Sequence, residues 1–155
     1  MELYTFRPAT QADALHMKAI NERCLPENYD AATWTTIVRQ NPHWCFVAEC
    51  TETKTLAGYV LTKQEGSFLH VLSLAVLEEH RSRGIASRLL QLILAAIIVR
   101  SEGRLLCYLE VRVSNDRAIA VYERLGFQKA QKEERYYADG EAAWKMVWST
   151  KSLGC

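Results

Sequence analysis

The sequence has no excess of charge of one sign and no long apolar run, and each absence excludes a class of protein. It carries 19 basic against 18 acidic residues, whereas a general nucleic-acid binder shows a clear basic excess. The longest apolar run in a helical pattern, residues 92–99, is too short to span a membrane, which takes roughly 20 residues. The N-terminal stretch MELYTFRPAT has no charged-then-apolar signal pattern. We therefore expect a soluble, cytoplasmic protein with neither nucleic acid nor membrane as a partner.

Close pairs of cysteines are also absent. Five cysteines are present, an odd number, and they are widely spaced without a C-x-x-C pair: Cys24, Cys45, Cys50, Cys107 and Cys155. Metal sites and disulfide frameworks usually show such pairs or an even count. We predict reduced, structural thiols and no metal site, as in a reducing compartment.

The composition itself is that of a globular domain. Hydrophobic residues make up 49% and charged residues 24% of the 155 residues, which is enough to bury one core. We expect one domain over residues 1–150 and a short tail over residues 151–155.

The hydrophobic patterns alternate between strand-like and helix-like periods along the chain. Strands are predicted at residues 4–7, 44–49, 56–62, 71–76, 105–113, from 127 onward and at 141–148, and helices between 10 and 25, at 31–39, 85–100 and 117–125. Thr10 followed by Asp13 resembles a helix N-cap pair. The order β-α-α-β-β-β-α-β-α-β-β predicts one mixed α/β sheet with helices on both faces.

The stretch from His70 to Leu90 combines an apolar strand, a polar turn and a helix N-terminus. Its turn reads Arg-Ser-Arg-Gly-Ile-Ala over residues 81–86, and a helix N-terminus of this kind binds phosphate through its free N–H groups. Gly84 would let the backbone approach an anion, and Arg81 and Arg83 could add charged hydrogen bonds. The spacing R-x-x-G-x-A differs from G-x-x-x-x-G-K-[ST] and from G-x-G-x-x-G, which argues against a nucleoside triphosphatase or a dinucleotide enzyme. An ordinary glycine turn with solvated arginines explains these six residues equally well.

Further motifs lie on both sides of the turn. Residues 114–115 (SN) precede the segment AIAVYERLGF at residues 118–127, and other segments read LPENY (25–29), HVLSLAV (70–76), YLEVRVSN (108–115) and YYADGE (136–141). Together they resemble the GCN5-related N-acetyltransferase (GNAT) superfamily over essentially the full chain. Within it, the resemblance is closest to NatA-type N-terminal acetyltransferase catalytic subunits of the archaeal Ard1-like, single-chain form. It implies a single-domain GNAT fold with a mixed, mostly antiparallel seven-stranded sheet splayed between strands 4 and 5.

The resemblance implies acetyl-coenzyme A as acetyl donor and the α-amino group of a protein or peptide N-terminus as acceptor. Small N-terminal residues such as Ser, Ala, Thr and Gly are the expected acceptors, and Met stays open. Activity of the chain alone or as a homodimer is expected. No charged tail follows Trp148, so a ribosome contact through a tail is not supported, and association with the ribosome by another surface stays open.

The resemblance also assigns site residues. Glu110 and His70 are expected to hold a water together as general base. Glu27 is expected mainly to orient the substrate and to assist that base, and Tyr122 to protonate the departing thiolate. The expected cofactor-binding residues are Leu74, Ala75, Val76, Arg81, Ser82, Arg83, Gly84, Ile85, Ala86, Asn115 and Tyr122. The expected walls of the peptide slot are Leu25, Pro26, Glu27, Tyr29, Tyr136 and Tyr137.

Deprotonation of an N-terminal amine requires only a modest general base. A free α-amino group has a pKa of about 7.7 to 8.0 and a lysine side chain about 10.4, so an N-terminus is the easier amine to deprotonate. Two other functions stay open from the sequence: acetylation of a lysine or of one ribosomal protein, as in RimI-type enzymes, and a non-catalytic acyl-coenzyme A-binding subunit. Without the motifs, Glu110, His70 and Tyr122 would each be read as solvated or packing residues.

Overall fold

All seven predicted strands form one sheet in the computed structural model, which describes residues 2–153. The strands are β1 (Tyr4–Pro8), β2 (Phe46–Cys50), β3 (Leu56–Glu65), β4 (Phe68–Val76), β5 (Leu106–Arg112), β6 (Gln128–Glu133) and β7 (Ala143–Trp148). Their order across the sheet is β1-β2-β3-β4-β5-β7-β6. Every neighbouring pair is antiparallel except β4 and β5, which run parallel. The predicted mixed, mostly antiparallel sheet is confirmed.

Four α-helices cover the sheet on both faces, as predicted. They are α1 (Ala14–Cys24), α2 (Ala31–Gln40), α3 (Ile85–Ser101) and α4 (Asp116–Arg124). One face packs on α3 and α4 through residues such as Leu89, Ile93 and Ile119, and the other packs on α1 and α2 through Met17 and Trp34. Along the part of the chain that the structure describes, no helix combines the length and the apolar character that a membrane span requires.

Thr10 and Asp13 form the predicted N-cap pair at the start of the first helix, and Arg7 of β1 also contacts Asp13. Asp13 accepts hydrogen bonds from the backbone N–H of Thr10 at 2.7 Å and from Arg7 on β1 at 2.7 Å. Burial alone would raise the pKa of Asp13, but the bonds from Arg7 and Thr10 outweigh it and lower that pKa below its ordinary value. A short 3-10 helix, Gln11–Asp13, therefore leads directly into α1.

Strands β3 and β4 are longer than the sequence predicted. They were expected at residues 56–62 and 71–76, yet they pair as far as Glu65 opposite Phe68. Gly66 closes this hairpin with a φ of 63°, a left-handed conformation that glycine adopts without strain. The extra residues on β3 are polar and exposed, which is why their pattern looked like a loop.

The predicted splay between β4 and β5 is also confirmed. These strands pair only at Phe68 with Leu106, Leu69 with Cys107 and His70 with Tyr108, although β4 continues to Val76 and β5 to Arg112. In addition, β4 carries a bulge opposite β3, because Leu61 pairs with Ser73 and Thr62 with Val71. Leu72 is the extra residue of that bulge, and bulges of this kind often lie beside functional sites.

Candidate active site

Two cavities adjoin at the gap between β4 and β5. The Glu110 cavity, about 250 Å³, is lined by residues of β4 and β5 and by Tyr29, Tyr136 and Tyr137. The Arg81 cavity, about 530 Å³, is lined by the C-terminal end of β4, the turn before α3 and one face of α4. The two cavities share four lining residues, which are Leu25, Leu74, Asn115 and Tyr122. The two cavities, which are otherwise lined by different residues, therefore meet at these four positions.

The turn at residues 81–86 forms the end of the Arg81 cavity. Gly84 is the N-cap of α3 with a φ of 77°, and Ser82 has a φ of 64°. A Cβ at Gly84 would meet no atom within 4 Å, so glycine is favoured here by the left-handed backbone and not by lack of space. Arg81 donates from Nε to the carbonyl of Val76 at 2.8 Å, which leaves its two terminal nitrogens for an anion.

The side chain of Arg83 points elsewhere. Its Nη1 donates to the hydroxyl of Tyr4 on β1 at 2.9 Å, and it lines a surface depression with Tyr4 and Arg88. Arg83 is not among the residues that line the Arg81 cavity. A direct phosphate contact of its guanidinium, as the sequence suggested, does not fit this geometry.

Two arginines that the sequence reasoning missed do line the Arg81 cavity. Arg117 and Arg124 lie on α4 together with Val121 and Tyr122. Residues seven apart in a helix lie on the same face, so the spacing of Arg117 and Arg124 was a usable signal. With Arg81, they give this cavity three guanidinium groups and the N-terminal end of α3, an arrangement suited to a ligand with several negative charges.

The bulge at Leu72 changes which face of the sheet the following residues occupy. Ser73 is buried toward α1 and α2, where its Oγ lies 2.7 Å from the hydroxyl of Tyr59 and 3.4 Å from Nδ2 of Asn21. Asn21 also donates to the backbone carbonyl of Glu27 at 3.0 Å. This buried polar cluster ties the segment that contains Glu27 to the centre of the sheet.

Glu110 and His70 are in direct contact and not merely within reach of a shared water. His70 Nε2 lies 2.6 Å from Glu110 Oε1, and the hydroxyl of Tyr136 donates to the same oxygen at 3.0 Å. Glu110 lines its cavity, whereas His70 lies behind it and is not among the lining residues. Because both bonds end on Oε1, they leave the second carboxylate oxygen of Glu110 available for a further hydrogen bond.

The His70 ring is held from two further sides. It stacks on Tyr108 with ring centroids 4.1 Å apart, and its Nδ1 lies 3.5 Å from Glu65 Oε2. Tyr108 donates to the other oxygen of Glu65 at 2.7 Å, and this bond contributes most to lowering the pKa of Glu65. The orientation of His70 toward Glu110 is therefore fixed by residues of β3 and β5.

Arg112 is the central cation at the entrance of the Glu110 cavity, and the sequence reasoning missed it. It donates to Glu27 at 2.7 Å, to Asp139 at 2.8 Å and to Glu141 at 3.0 Å, and it lies 4.1 Å from the centre of the Tyr137 ring. The bond to Glu141 contributes most to raising the pKa of Arg112. Arg112 comes two residues after Glu110 on β5, so the two-residue period of a strand already placed both on one face.

The predicted peptide-slot residues mostly line the Glu110 cavity. Leu25, Tyr29, Tyr136 and Tyr137 do so along with Glu27. Pro26 does not, and its carbonyl accepts a hydrogen bond from Asn28 at 2.9 Å. The carboxylate of Glu27 is paired with Arg112, which favours an orienting role over that of a free base.

Tyr122 and Asn115 lie where the two cavities meet. Burial raises the pKa of Tyr122 to about 12, so its hydroxyl keeps its proton at neutral pH. The side chain of Asn115 accepts from the backbone N–H of Ala118 at 3.2 Å as the N-cap of α4. The side-chain oxygen of Asn115 thus has a structural role in capping α4. This hydrogen bond does not involve the side-chain nitrogen of Asn115.

The cysteines stand apart from one another. Burial raises the pKa of Cys45 to about 11 and that of Cys107 to about 12, as expected of inert thiols. Cys24 lines the Arg81 cavity, and Cys155 lies outside the described residues. Within residues 2–153, no group of three or more His, Cys, Asp or Glu side chains is placed to hold a metal ion.

Comparison with known proteins places this geometry in context. The model of the acetyltransferase (GNAT) family matches residues 11–127. The chain is 36% identical over 156 residues to an N-alpha-acetyltransferase of Saccharolobus solfataricus, covering 93% of this chain and 92% of that protein. It is 39% identical over 145 residues to the N-terminal acetyltransferase A complex catalytic subunit NAA10 of Arabidopsis thaliana, covering 90% and 74%. Its fold superimposes on the crystal structure of Ard1 from Thermoplasma volcanium with a TM-score of 0.84 at 26% identity, covering 96% and 98%.

Proposed function

Because this chain belongs to the acetyltransferase (GNAT) family, as its motifs predicted, we propose that it transfers acetyl groups to the α-amino group of protein N-termini. The donor is acetyl-coenzyme A, which carries the acetyl group as a thioester. The observation that supports the assignment best is the pair of adjoining cavities, one cationic and one containing Glu110, which meet at Tyr122.

The Arg81 cavity suits the coenzyme. Its arginines and the left-handed turn before α3 would bind the phosphates, and Leu74, Ala75 and Val76 of β4 would lie along the pantetheine arm. That arm could use backbone groups of β4, since β5 does not pair with β4 beyond His70. The thioester would then lie at the meeting point of the cavities, beside Tyr122.

Glu110 is the proposed general base. It takes one proton from the incoming ammonium group at its free carboxylate oxygen, and the neutral amine attacks the thioester carbonyl. His70 and Tyr136 hold the other oxygen of Glu110 and thereby orient it. A carboxylate is a modest base, which suits an α-amine better than the more basic lysine side chain.

Tyr122 is the proposed general acid. As the carbon–sulfur bond breaks, its hydroxyl gives a proton to the departing thiolate, and the nitrogen loses its second proton as the amide forms. That proton replaces the one that Tyr122 has given, so each turnover yields an acetylated amine, free coenzyme A and one proton. The pKa of about 12 keeps Tyr122 protonated between turnovers.

Glu27, Tyr29 and Tyr137 are the proposed acceptor-binding residues. They surround the entrance of the Glu110 cavity, where the carboxylate of Glu27 would attract an ammonium group. The cavity of about 250 Å³ favours small first residues over aromatic ones. We also propose that the chain is active alone, because its own residues line both cavities.

The test uses the purified chain with acetyl-coenzyme A and two peptides of identical sequence containing one internal lysine. One peptide has a free α-amine and the other a blocked one, and mass spectrometry locates the added acetyl group. We expect acetylation at the free α-amine only. Acetylation of the blocked peptide at lysine would contradict the proposal, and binding of coenzyme A without turnover on any peptide would indicate a non-catalytic subunit.

A further inference from the structure

His80 lines the Arg81 cavity and takes no part in the proposed acetyl transfer. It ends the short 3-10 helix Glu78–His80 that joins β4 to the phosphate-binding turn, directly before Arg81. Its side chain is half-buried and lines the cavity with Arg81, Ser82 and Gly84. A ring nitrogen at this place is close in sequence and in space to the groups that would bind the coenzyme phosphates.

The ring of His80 is held by Tyr4, which lies on the far edge strand β1. The hydroxyl of Tyr4 is 2.7 Å from His80 Nδ1, and the two rings meet edge to face at 5.5 Å. Arg83 in turn donates to the same hydroxyl at 2.9 Å. These three side chains form a connected group that joins β1 to the residue before the turn and to a residue within it.

The direction of one of these two hydrogen bonds follows from the donor inventory. A guanidinium is a donor only, so the oxygen of Tyr4 accepts from Arg83. The hydroxyl can also donate its own proton to the lone pair of Nδ1, and this is the arrangement on which our inference rests. A neutral imidazole that accepts at Nδ1 carries its hydrogen on Nε2, which makes Nε2–H the free donor of this ring.

We propose that His80 is a phosphate-binding residue of the Arg81 cavity, and that Tyr4 and Arg83 are positioning residues that present its Nε2–H to the coenzyme. This gives Arg83, whose side chain leaves the cavity, an indirect role at the same site. The inference rests on the proposed function in one respect, since it takes an acyl-coenzyme A as the occupant of the cavity.

The first test compares two donors that carry the same thioester. Acetyl-coenzyme A has the phosphates, and S-acetylpantetheine lacks them. Since a hydrogen bond to a charged group changes affinity by about tenfold or more, we expect His80→Ala to raise KM for acetyl-coenzyme A about tenfold. We expect kcat to stay within about twofold and kcat/KM for S-acetylpantetheine to stay unchanged. Equal losses with both donors, or an unchanged KM for acetyl-coenzyme A, would overturn the proposal.

Two further variants separate a phosphate contact from a packing effect. His80→Gln keeps an N–H donor near the position of Nε2 and should recover part of the lost affinity. His16→Ala, which removes an exposed histidine on α1, is the matched control and should change neither donor. Failure of His80→Gln to improve on His80→Ala would count against a donor role.

The role of Tyr4 is tested by a double-mutant cycle. Tyr4→Phe removes only the hydroxyl and should raise KM for acetyl-coenzyme A by about threefold, but it should have no further effect when His80 is already alanine. A purely structural role of Tyr4 would give additive effects and would reduce activity with both donors.

Binding measurements keep this inference separate from the proposed function. Calorimetric titration of the wild-type chain and of His80→Ala with coenzyme A gives both dissociation constants without any acetyl transfer. A tenfold difference in a chain that acetylates no peptide would sustain the role of His80 and refute the proposed acetyltransferase activity. Equal constants, or no binding of coenzyme A at all, would refute the role of His80.

Discussion

Replacing Arg112 by glutamine should impair the binding of the acceptor peptide and leave the binding of acetyl-coenzyme A unchanged. Arg112 joins Glu27, which precedes α2, to Asp139 and Glu141, which lie between β6 and β7. It therefore connects the two segments on opposite sides of the entrance to the Glu110 cavity. Glutamine keeps much of the length and polarity of the side chain but removes its charge and its five-donor fork.

The size of the effect is bounded from two directions. The ion pair between Arg112 and Glu27 has side-chain exposures of 24% and 45%, and exposed pairs contribute about 0.2 to 1 kcal/mol, which is at most about fivefold in binding. Displacement of a positioning segment by about 1 Å can cost about 100-fold in rate. Because both segments lose their common partner at once, we expect a loss of about tenfold in kcat/KM for the peptide.

Steady-state kinetics with each substrate varied in turn measures this directly. KM for the peptide should rise and KM for acetyl-coenzyme A should stay within about twofold. Arg112→Lys should be intermediate, because an ammonium group retains the charge but cannot reach three carboxylates in fixed directions. Arg39→Gln is the matched control, since Arg39 is exposed on α2 and lines neither cavity.

One result would refute the reasoning. If Arg112→Gln lowered kcat and left both KM values unchanged, Arg112 would act on the transition state and not on the arrangement of the entrance. Melting curves of the two variants ensure that the comparison is made on folded protein.

Four further predictions follow from the same geometry. Glu110→Gln and His70→Ala should each lower kcat, and the double variant should lose little more than Glu110→Gln alone, because the two side chains act as one unit; additive losses would point to separate roles. Arg81→Ala should raise KM for acetyl-coenzyme A with little change in kcat, as expected of a contact that is equal in ground and transition states, and a large fall in kcat at constant KM would contradict this. Tyr122→Phe should lower kcat by about 10- to 100-fold, while the wild-type rate should show no loss from Tyr122 ionisation below about pH 11, given its pKa of about 12; a decline near pH 10 that is absent in the variant would oppose the assignment. Asp13→Asn should destabilise the fold by about 1 to 3 kcal/mol at pH 7. The lowered pKa of Asp13 means that this difference, measured by urea unfolding, should shrink below about pH 4 as the carboxylate is protonated in both states, and a constant difference down to pH 2 would rule out the ionic contribution.

Local patterns were sufficient to predict the order of the elements. The apolar periods of the strands and helices and the turn at Gly84 depend on neighbours in sequence, which the sequence displays. The end of β3 was not predicted, because its last three residues, Lys63 to Glu65, are polar and exposed. The start of β4 at Phe68 was not predicted either, although Phe68 and Leu69 are apolar.

Contacts across the sheet could be predicted only in part. Glu110 and Arg112 share a face of β5, and this follows from their spacing alone. The direct contact of His70 with Glu110 depends instead on the register of the parallel pair β4–β5, which no local pattern sets. The contact of Arg83 with Tyr4 joins residues far apart in the sequence, so no local pattern could indicate it.

The location of the site follows from the single parallel pair in the sheet. Parallel strands need a long connection, here one that contains α3, so the chain runs from the end of β4 through the short 3-10 helix and the turn to the N-terminus of that helix. β5 is followed in the same way by the N-terminus of α4. Two positive helix ends therefore flank the gap between β4 and β5, and the arginines at positions 81, 117 and 124 add positive charge to them.

The carboxylates of Glu27 and Glu110 lie on the other side of the gap. The formal net charge of +1 thus conceals a separation of charge across Tyr122, with a cationic cavity for a polyanionic donor and an anionic entrance for a cationic amine. In the proposed reaction, this separation would draw two substrates of opposite charge to opposite sides of Tyr122, as a direct transfer between them requires.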